Sequence, residues 1–189
     1  ANPLNLPKTK IIVLVGRWQD YKNVHTVLDA IRIHNYDLGL PFHIFLIGKS
    51  QQMGFGLVKR AVEKFNPGKI SIVDYLEYGN LKFLYQNAAV VVHPSINEGF
   101  GLPAFEAFLE GSPLLVHTGT PASYELGGEE GVWSSNMLNP VEIVHSLKKI
   151  LKAEVTIDLI ARQSLIRRKG MTWEEMGNQY VQKYKSIFT

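Results

Sequence analysis

The chain has 189 residues, 46% of them hydrophobic and 20% charged, which fits one ordinary globular domain with a real core. Its formal net charge of +3 suits anionic small molecules or a weak membrane-surface contact, and is too diffuse to indicate nucleic acid. No cysteine, no N-x-S/T sequon, no signal-peptide opening and no bilayer-length apolar run occur, which excludes a disulfide framework and a thiolate zinc site.

The first predicted element is "KIIVLVG" (10–16), a β-branched apolar run ending in glycine, as a buried strand does. "NVHTVLDAIRIH" (23–34) places Val24, Val27, Leu28 and Ile31 at helical spacing. A strand (42–48), a helix (57–65), a strand (69–73) and a helix (80–88) follow. "AVVVHP" (89–94) is the fourth strand, stopped by Pro94, and "LPAFEAFLEG" (102–111) is a helix with proline at its start and glycine at its end. "PLLVH" (113–117) is a fifth strand and "GVWS" (131–134) a short sixth; between them 118–130 is the least regular stretch, predicted as a working loop. Three helices finish the chain, at 140–151, 157–168 and 172–188.

Strands alternating with helices predict an α/β fold, a Rossmann-like doubly wound parallel sheet of about six strands with helices on both faces. In the strand order 3-2-1-4-5-6, strands 1 and 4 are neighbours whose outgoing loops diverge and leave a crevice. Those loops are "GRWQDYKN" (16–23) and "PSINEGFGLP" (94–103), the two most unusual in the chain. Gly99 and Gly101 let backbone N–H groups approach a ligand, and the helix beginning near Pro103 favours an anion. Glu98 before the turn and Glu106 one turn into the helix can each accept hydrogen bonds from hydroxyls, on either side of that anion site. A ligand with hydroxyls at both ends and phosphate between, such as a nucleotide sugar, has this layout. Arg17 and Lys22 supply the cations for a diphosphate, and for the charge on a departing one.

Singly, each of these residues has a commonplace role. Glu106 suits a first-turn acid, Glu98 a loop acid or cap, and Arg17 and Lys22 solvated surface charges; Gly16 and Gly48 end strands. The functional inference comes from their placement on two adjacent loops.

At these residues the sequence resembles the C-terminal, donor-binding domain of retaining GT-B glycosyltransferases of the group 1, family 4 type. The resemblance runs through "VGRWQDYKN", "LIGKS", "LKFLYQNAAVVVHPS", "EGFGLPAFEAFLEGSPLLV" with its E-x7-E signature, "PASYELGGEEG" and "MTWEEMGNQYVQKY". It implies that Arg17 and Lys22 bind the donor diphosphate beside Gly16, and that Glu98 contacts the transferred sugar, these three being the catalytic group. Gly99, Phe100 and Gly101 would surround the sugar and its phosphate, Leu102 would add a backbone contact, Glu106 would hold the ribose hydroxyls, and Tyr75 and Leu76 would lie by the base. The implied reaction is sugar transfer from a nucleotide-diphosphate donor with retention, without metal or other cofactor. Asp74 stands where the family often has glycine, and Glu110, expected to face solvent, where a small residue is common.

A complete enzyme of this fold has two Rossmann-like domains, so residues 1–189 are expected to be one donor-binding domain, a fragment or a subunit of a split enzyme. The N-terminal domain, in cis or as a separate subunit, is the expected partner, with transfer weak or absent without it. The expected location is cytoplasmic, at the inner face of a membrane if Lys148, Lys149, Lys152 and "RRK" (167–169) touch anionic lipid rather than solvent. His93, beside Pro94, is expected either to be catalytic or, at least as readily, to pack at a strand end near the crevice. The aromatic last helix, Trp173 to Phe188, is most simply core; alternatively it reaches toward the missing domain. Two rivals stand beside the transferase: a non-catalytic nucleotide-sugar-binding subunit or sensor, and a dinucleotide-binding oxidoreductase. Gly99, Gly101 and Ala104 do fit G-x-G-x-x-A, but that fingerprint belongs after the first strand, not the fourth.

Overall fold

β1 (Lys10–Val15) runs through the middle of a six-stranded, all-parallel sheet of order β3-β2-β1-β4-β5-β6, in a computed structural model that describes residues 4–34, 38–49, 55–153 and 172–187. The chain first builds outward on one side, through β2 (Phe42–Ile47) and β3 (Ile70–Val73), then returns to the other side of β1 for β4 (Val90–His93), β5 (Leu114–His117) and β6 (Val132–Ser135). The reversal makes β1 and β4 neighbours, paired at Ile12 with Val90 and Val13 with Val91. Their C-terminal ends are the topological switch point, where such sheets bind ligands.

The alternation of strand side chains sorts the apolar residues into two cores. Ile12 and Leu14 face one layer and Ile11 and Val13 the other. The first layer holds α1 (Val24–Ile33), α2 (Phe55–Glu63) and α6 (Pro140–Lys152); the second holds α3 (Tyr78–Gln86) and α4 (Leu102–Leu109). α1 forms as its periodicity predicts, burying Val24, Val27, Leu28 and Ile31. α6 begins on Pro140 behind the Asn139 cap, whose side chain accepts from the Val141 and Glu142 N–H groups.

Three sequence expectations change. The stretch 118–130 contains a short helix, α5 (Pro121–Glu125), seated by buried Ala122 and Leu126 and tied by Ser123, whose Oγ donates to the Thr120 carbonyl. Glu110 does not face solvent: its side chain is 4% exposed and meets the Lys82 ammonium at 3.3 Å, while Gln86 and Tyr78 donate to its oxygens. The last helix, α7 (Trp173–Ile187), is not core, because Met176, Tyr180, Tyr184 and Ile187 are all exposed. The predicted helix at 157–168 and the "RRK" at 167–169 lie outside the described residues. No helix among the described residues is long and apolar enough to cross a membrane.

The loop leaving β1 is held against the end of β2 by a backbone contact that leaves no space for a methyl group. A Cβ on Gly48 (φ +155°) would sit 1.8 Å from the Gly16 carbonyl oxygen, and the Trp18 indole N–H donates to the Gly48 carbonyl at 2.7 Å. Gly48→Ala is therefore expected to destabilise the chain by about 3 kcal/mol or more. Gly79→Ala, where an added Cβ meets nothing within 4 Å in the first turn of α3, is expected to be neutral or to stabilise by up to about 1 kcal/mol. Urea unfolding of both variants checks the contrast; equal effects would show that the Gly16–Gly48 approach does not constrain the fold.

Candidate functional site

The β1 and β4 loops meet as the strand order requires. The Ile96 N–H donates to the Tyr21 carbonyl at 2.9 Å, and Ser95 Oγ donates to that carbonyl at 3.3 Å. Asn23 anchors the β1 loop from behind. It is buried in the left-handed conformation (φ 55°, ψ 23°), and its amide donates to the Met137 carbonyl at 2.7 Å. Asn tolerates that conformation where bulkier residues do not. This is a structural role for a residue that the sequence showed only as part of a motif.

Across the contact, Lys22 Nζ donates to Glu98 Oε1 at 2.5 Å, with the two side chains only 17% and 11% exposed. His93 Nε2 lies 3.1 Å from the same oxygen. The distance is that of an ion pair, but the ring N–H is not aligned, so buried Nε2 makes no hydrogen bond among the described residues. The imidazole and the ammonium together hold the Glu98 carboxyl down to about 2, against burial, which pushes it up. Glu106, on α4, goes the other way: burial raises it, and the Tyr85 phenol beside it opposes the rise. Burial first, and the Glu106 carboxylate second, push the Tyr85 phenol far up.

The turn between the acids is open. Gly99 has nothing within 4 Å of an added Cβ, and Gly101 takes φ +92° as it enters α4, with no side chain capping the helix. Phe100 is exposed and stacks on Phe105 at 4.1 Å with 15° between the rings, and Leu102 is exposed. Pro103 has no N–H and the Ala104 N–H donates to the Gly101 carbonyl at 2.9 Å, which leaves the Leu102 N–H as the first-turn donor, among the described residues, beside an uncapped, glycine-lined entrance that favours negative charge.

Arg17 does not join Lys22. It is exposed, with no hydrogen bond or ion pair among the described residues, and it lines a cavity of about 360 Å³ with Gly16, Lys49, Asp74, Tyr75 and Leu76. The structure therefore brings the site residues into two groups: Lys22 with Glu98 at the β1–β4 contact, and Gly16, Arg17, Tyr75 and Leu76 over the ends of β1, β2 and β3. Lys49 joins this cavity although no role was assigned to it from the sequence; it lay within the "LIGKS" stretch, one residue past the glycine that ends β2.

The lowered Glu98 carboxyl carries a sign. An unfolded glutamate titrates at about 4.3, so the unfolded chain takes up this proton first as pH falls. The stabilisation is complete above about pH 5 and lost toward pH 2. Glu98→Gln should therefore differ most from the native chain above about pH 5, and the difference should close as pH falls; urea midpoints at pH 7, 4 and 3 check this. A constant difference would show that the carboxylate is not held by His93 and Lys22.

Comparison with known proteins adds sequence relatives to this geometry. The family description "Glycosyl transferases group 1" matches residues 2–169. The chain is 25% identical over 176 residues to O-antigen chain mannosyltransferase B of Escherichia coli, covering 92% of this chain and 45% of that protein. It is 28% identical over 194 residues to D-inositol 3-phosphate glycosyltransferase of Corynebacterium urealyticum, covering 98% and 45%. Among solved structures, sucrose-phosphate synthase of Thermosynechococcus elongatus superposes with a TM-score of 0.79 at 24% identity, over 98% of this chain and 47% of that one. A glycosyltransferase of Rickettsia africae gives 0.77 at 16% identity, over 97% and 49%. At these identities the structural likeness speaks for the fold alone, and the chain spans about half the length of the proteins it matches. With the family match covering most of its residues, the chain belongs to the group 1 glycosyl transferases.

Proposed function

We propose that this chain is the donor-binding domain of a glycosyltransferase that moves a sugar from a nucleotide-diphosphate donor to an acceptor with retention of configuration. The observation that carries the proposal is the meeting of the β1 and β4 loops at the switch point, with Lys22 against Glu98 and an uncapped α4 beside them. A diphosphate at the start of α4 would draw on the Leu102 N–H and on Lys22, with Arg17 of the same β1 loop reaching in from the cavity over β1–β3. Those cations would also stabilise the charge growing on the departing diphosphate, so the chemistry calls for no metal. Tyr75 and Leu76 line the cavity that Arg17 borders, and the base would lie against them. Glu98 would accept from the sugar hydroxyls and Glu106 from the ribose.

The chain's coverage of about half of its relatives supports a second domain carrying the acceptor site, with slow or no transfer by this chain alone. The exposed stripe of Met176, Tyr180, Tyr184 and Ile187 on α7 is an apolar face suited to packing on that domain.

Calorimetry against UDP, GDP and ADP, and against their hexose conjugates, tests the proposal. Replacing Arg17 and Lys22 together by alanine is expected to abolish binding, since each charge-assisted contact is worth roughly 1.5–3 kcal/mol. Glu106→Ala is expected to weaken it roughly tenfold. Unchanged affinity in a folded double variant would remove the diphosphate assignment.

A further inference from the structure

We propose that His93 is the positioning residue for Glu98, holding that carboxylate toward the transferred sugar once the donor diphosphate has drawn Lys22 away; this rests on the donor function proposed above. In the ligand-free geometry Lys22 cannot serve two anions at full strength. Its ammonium is 2.5 Å from Glu98 Oε1, and a diphosphate at α4 competes for the same N–H groups. When Lys22 turns to phosphate, Glu98 loses the only aligned donor it has among the described residues while remaining 11% exposed. The sugar hydroxyls then donate to it, and a protein donor is needed to hold the carboxylate toward them.

His93 Nε2 is positioned to be that donor. It lies 3.1 Å from the same oxygen, is buried, and is without an aligned hydrogen-bond partner among the described residues. In the Nε2–H tautomer the ring donates to this oxygen once the carboxylate, released by Lys22, turns into line with the N–H. The ring has a fixed place, because β4 is buried along its length and His93 is its last residue. It also underlies the turn: a Cβ on Gly101 would come within 3.2 Å of Nε2. One imidazole thus lies beneath both the acid and the glycine that enters α4, and fixes their separation. His93 touches no substrate in this scheme and acts through Glu98.

Two variants test it in the full chain. His93→Phe keeps the ring's bulk and removes the N–H; His93→Gln returns an N–H at similar reach. The probes are GDP with GDP-mannose and UDP with UDP-glucose, measured by calorimetry at pH 7. The readout is the gain in affinity that the sugar adds to the nucleoside diphosphate, which general loosening of the fold does not alter selectively. H93F is expected to lower that gain about tenfold while the diphosphate's own affinity moves less than twofold, and H93Q to restore it to within about threefold. A folded H93F with an unchanged gain, or with both affinities lowered equally, overturns the role of His93 alone. A native chain that binds neither pair, or gains nothing from the sugar, overturns the donor proposal and this one with it. Should H93F not fold, a cycle of His93→Asn with Glu98→Gln decides. Loss of the H93N effect in the E98Q background supports the coupling, and additive losses overturn it.

Discussion

An ammonium and a carboxylate, each largely withdrawn from water, meet where the first and fourth strands of the sheet release their loops. Lys22 and Glu98 are 76 positions apart in the chain and 2.5 Å apart in space. Such a pair is weak evidence for stability, because desolvating both charges offsets most of their attraction. Its effect here is geometric. It closes the β1 loop onto the β4 loop, and the approach of Gly48 to Gly16 and the buried Trp18 fix that β1 loop from its other side. The cavity over β1–β3 and the uncapped start of α4 both take their position from these constraints.

The two acids of the turn are of one residue type, but their surroundings part them. Glu98 has an imidazole and an ammonium at hand and is driven down, whereas burial drives Glu106 up against the opposing Tyr85 phenol. Pairs of like groups separated by environment are characteristic of sites that do chemistry. Under the proposed function, the separation would suit two kinds of hydroxyl, a sugar being transferred and a ribose only to be held. An ionised acid held by mobile or unaligned donors can exchange them for substrate hydroxyls without a large change in its own charge state.

Much of the fold was legible because the physics that forms it is local. β-branched runs closed by glycine became strands, helical spacing became helices, and the alternation implied the doubly wound sheet and its crevice. Inference failed where a side chain's partner came from elsewhere in the chain. Glu110 had no sequence neighbour to indicate Lys82, Gln86 and Tyr78, which reach it from α3. The stretch 118–130 appeared irregular because a five-residue helix is too short for a periodic signal. The aromatic residues of α7 suggested a core, yet that face is exposed among the described residues.

At the site, the amino-acid sequence by itself determined the residue types, the glycine and proline punctuation, and the two loops to be joined. Those depend on backbone preference and on element order, which are written along the chain. Only the tertiary structure decided that Lys22 meets Glu98 while Arg17 does not, that Lys49 lines the Arg17 cavity, and that His93 ends beneath the carboxylate. Such pairings depend on tenths of an ångström between segments distant in sequence. Periodicity and spacing carry no information at that range.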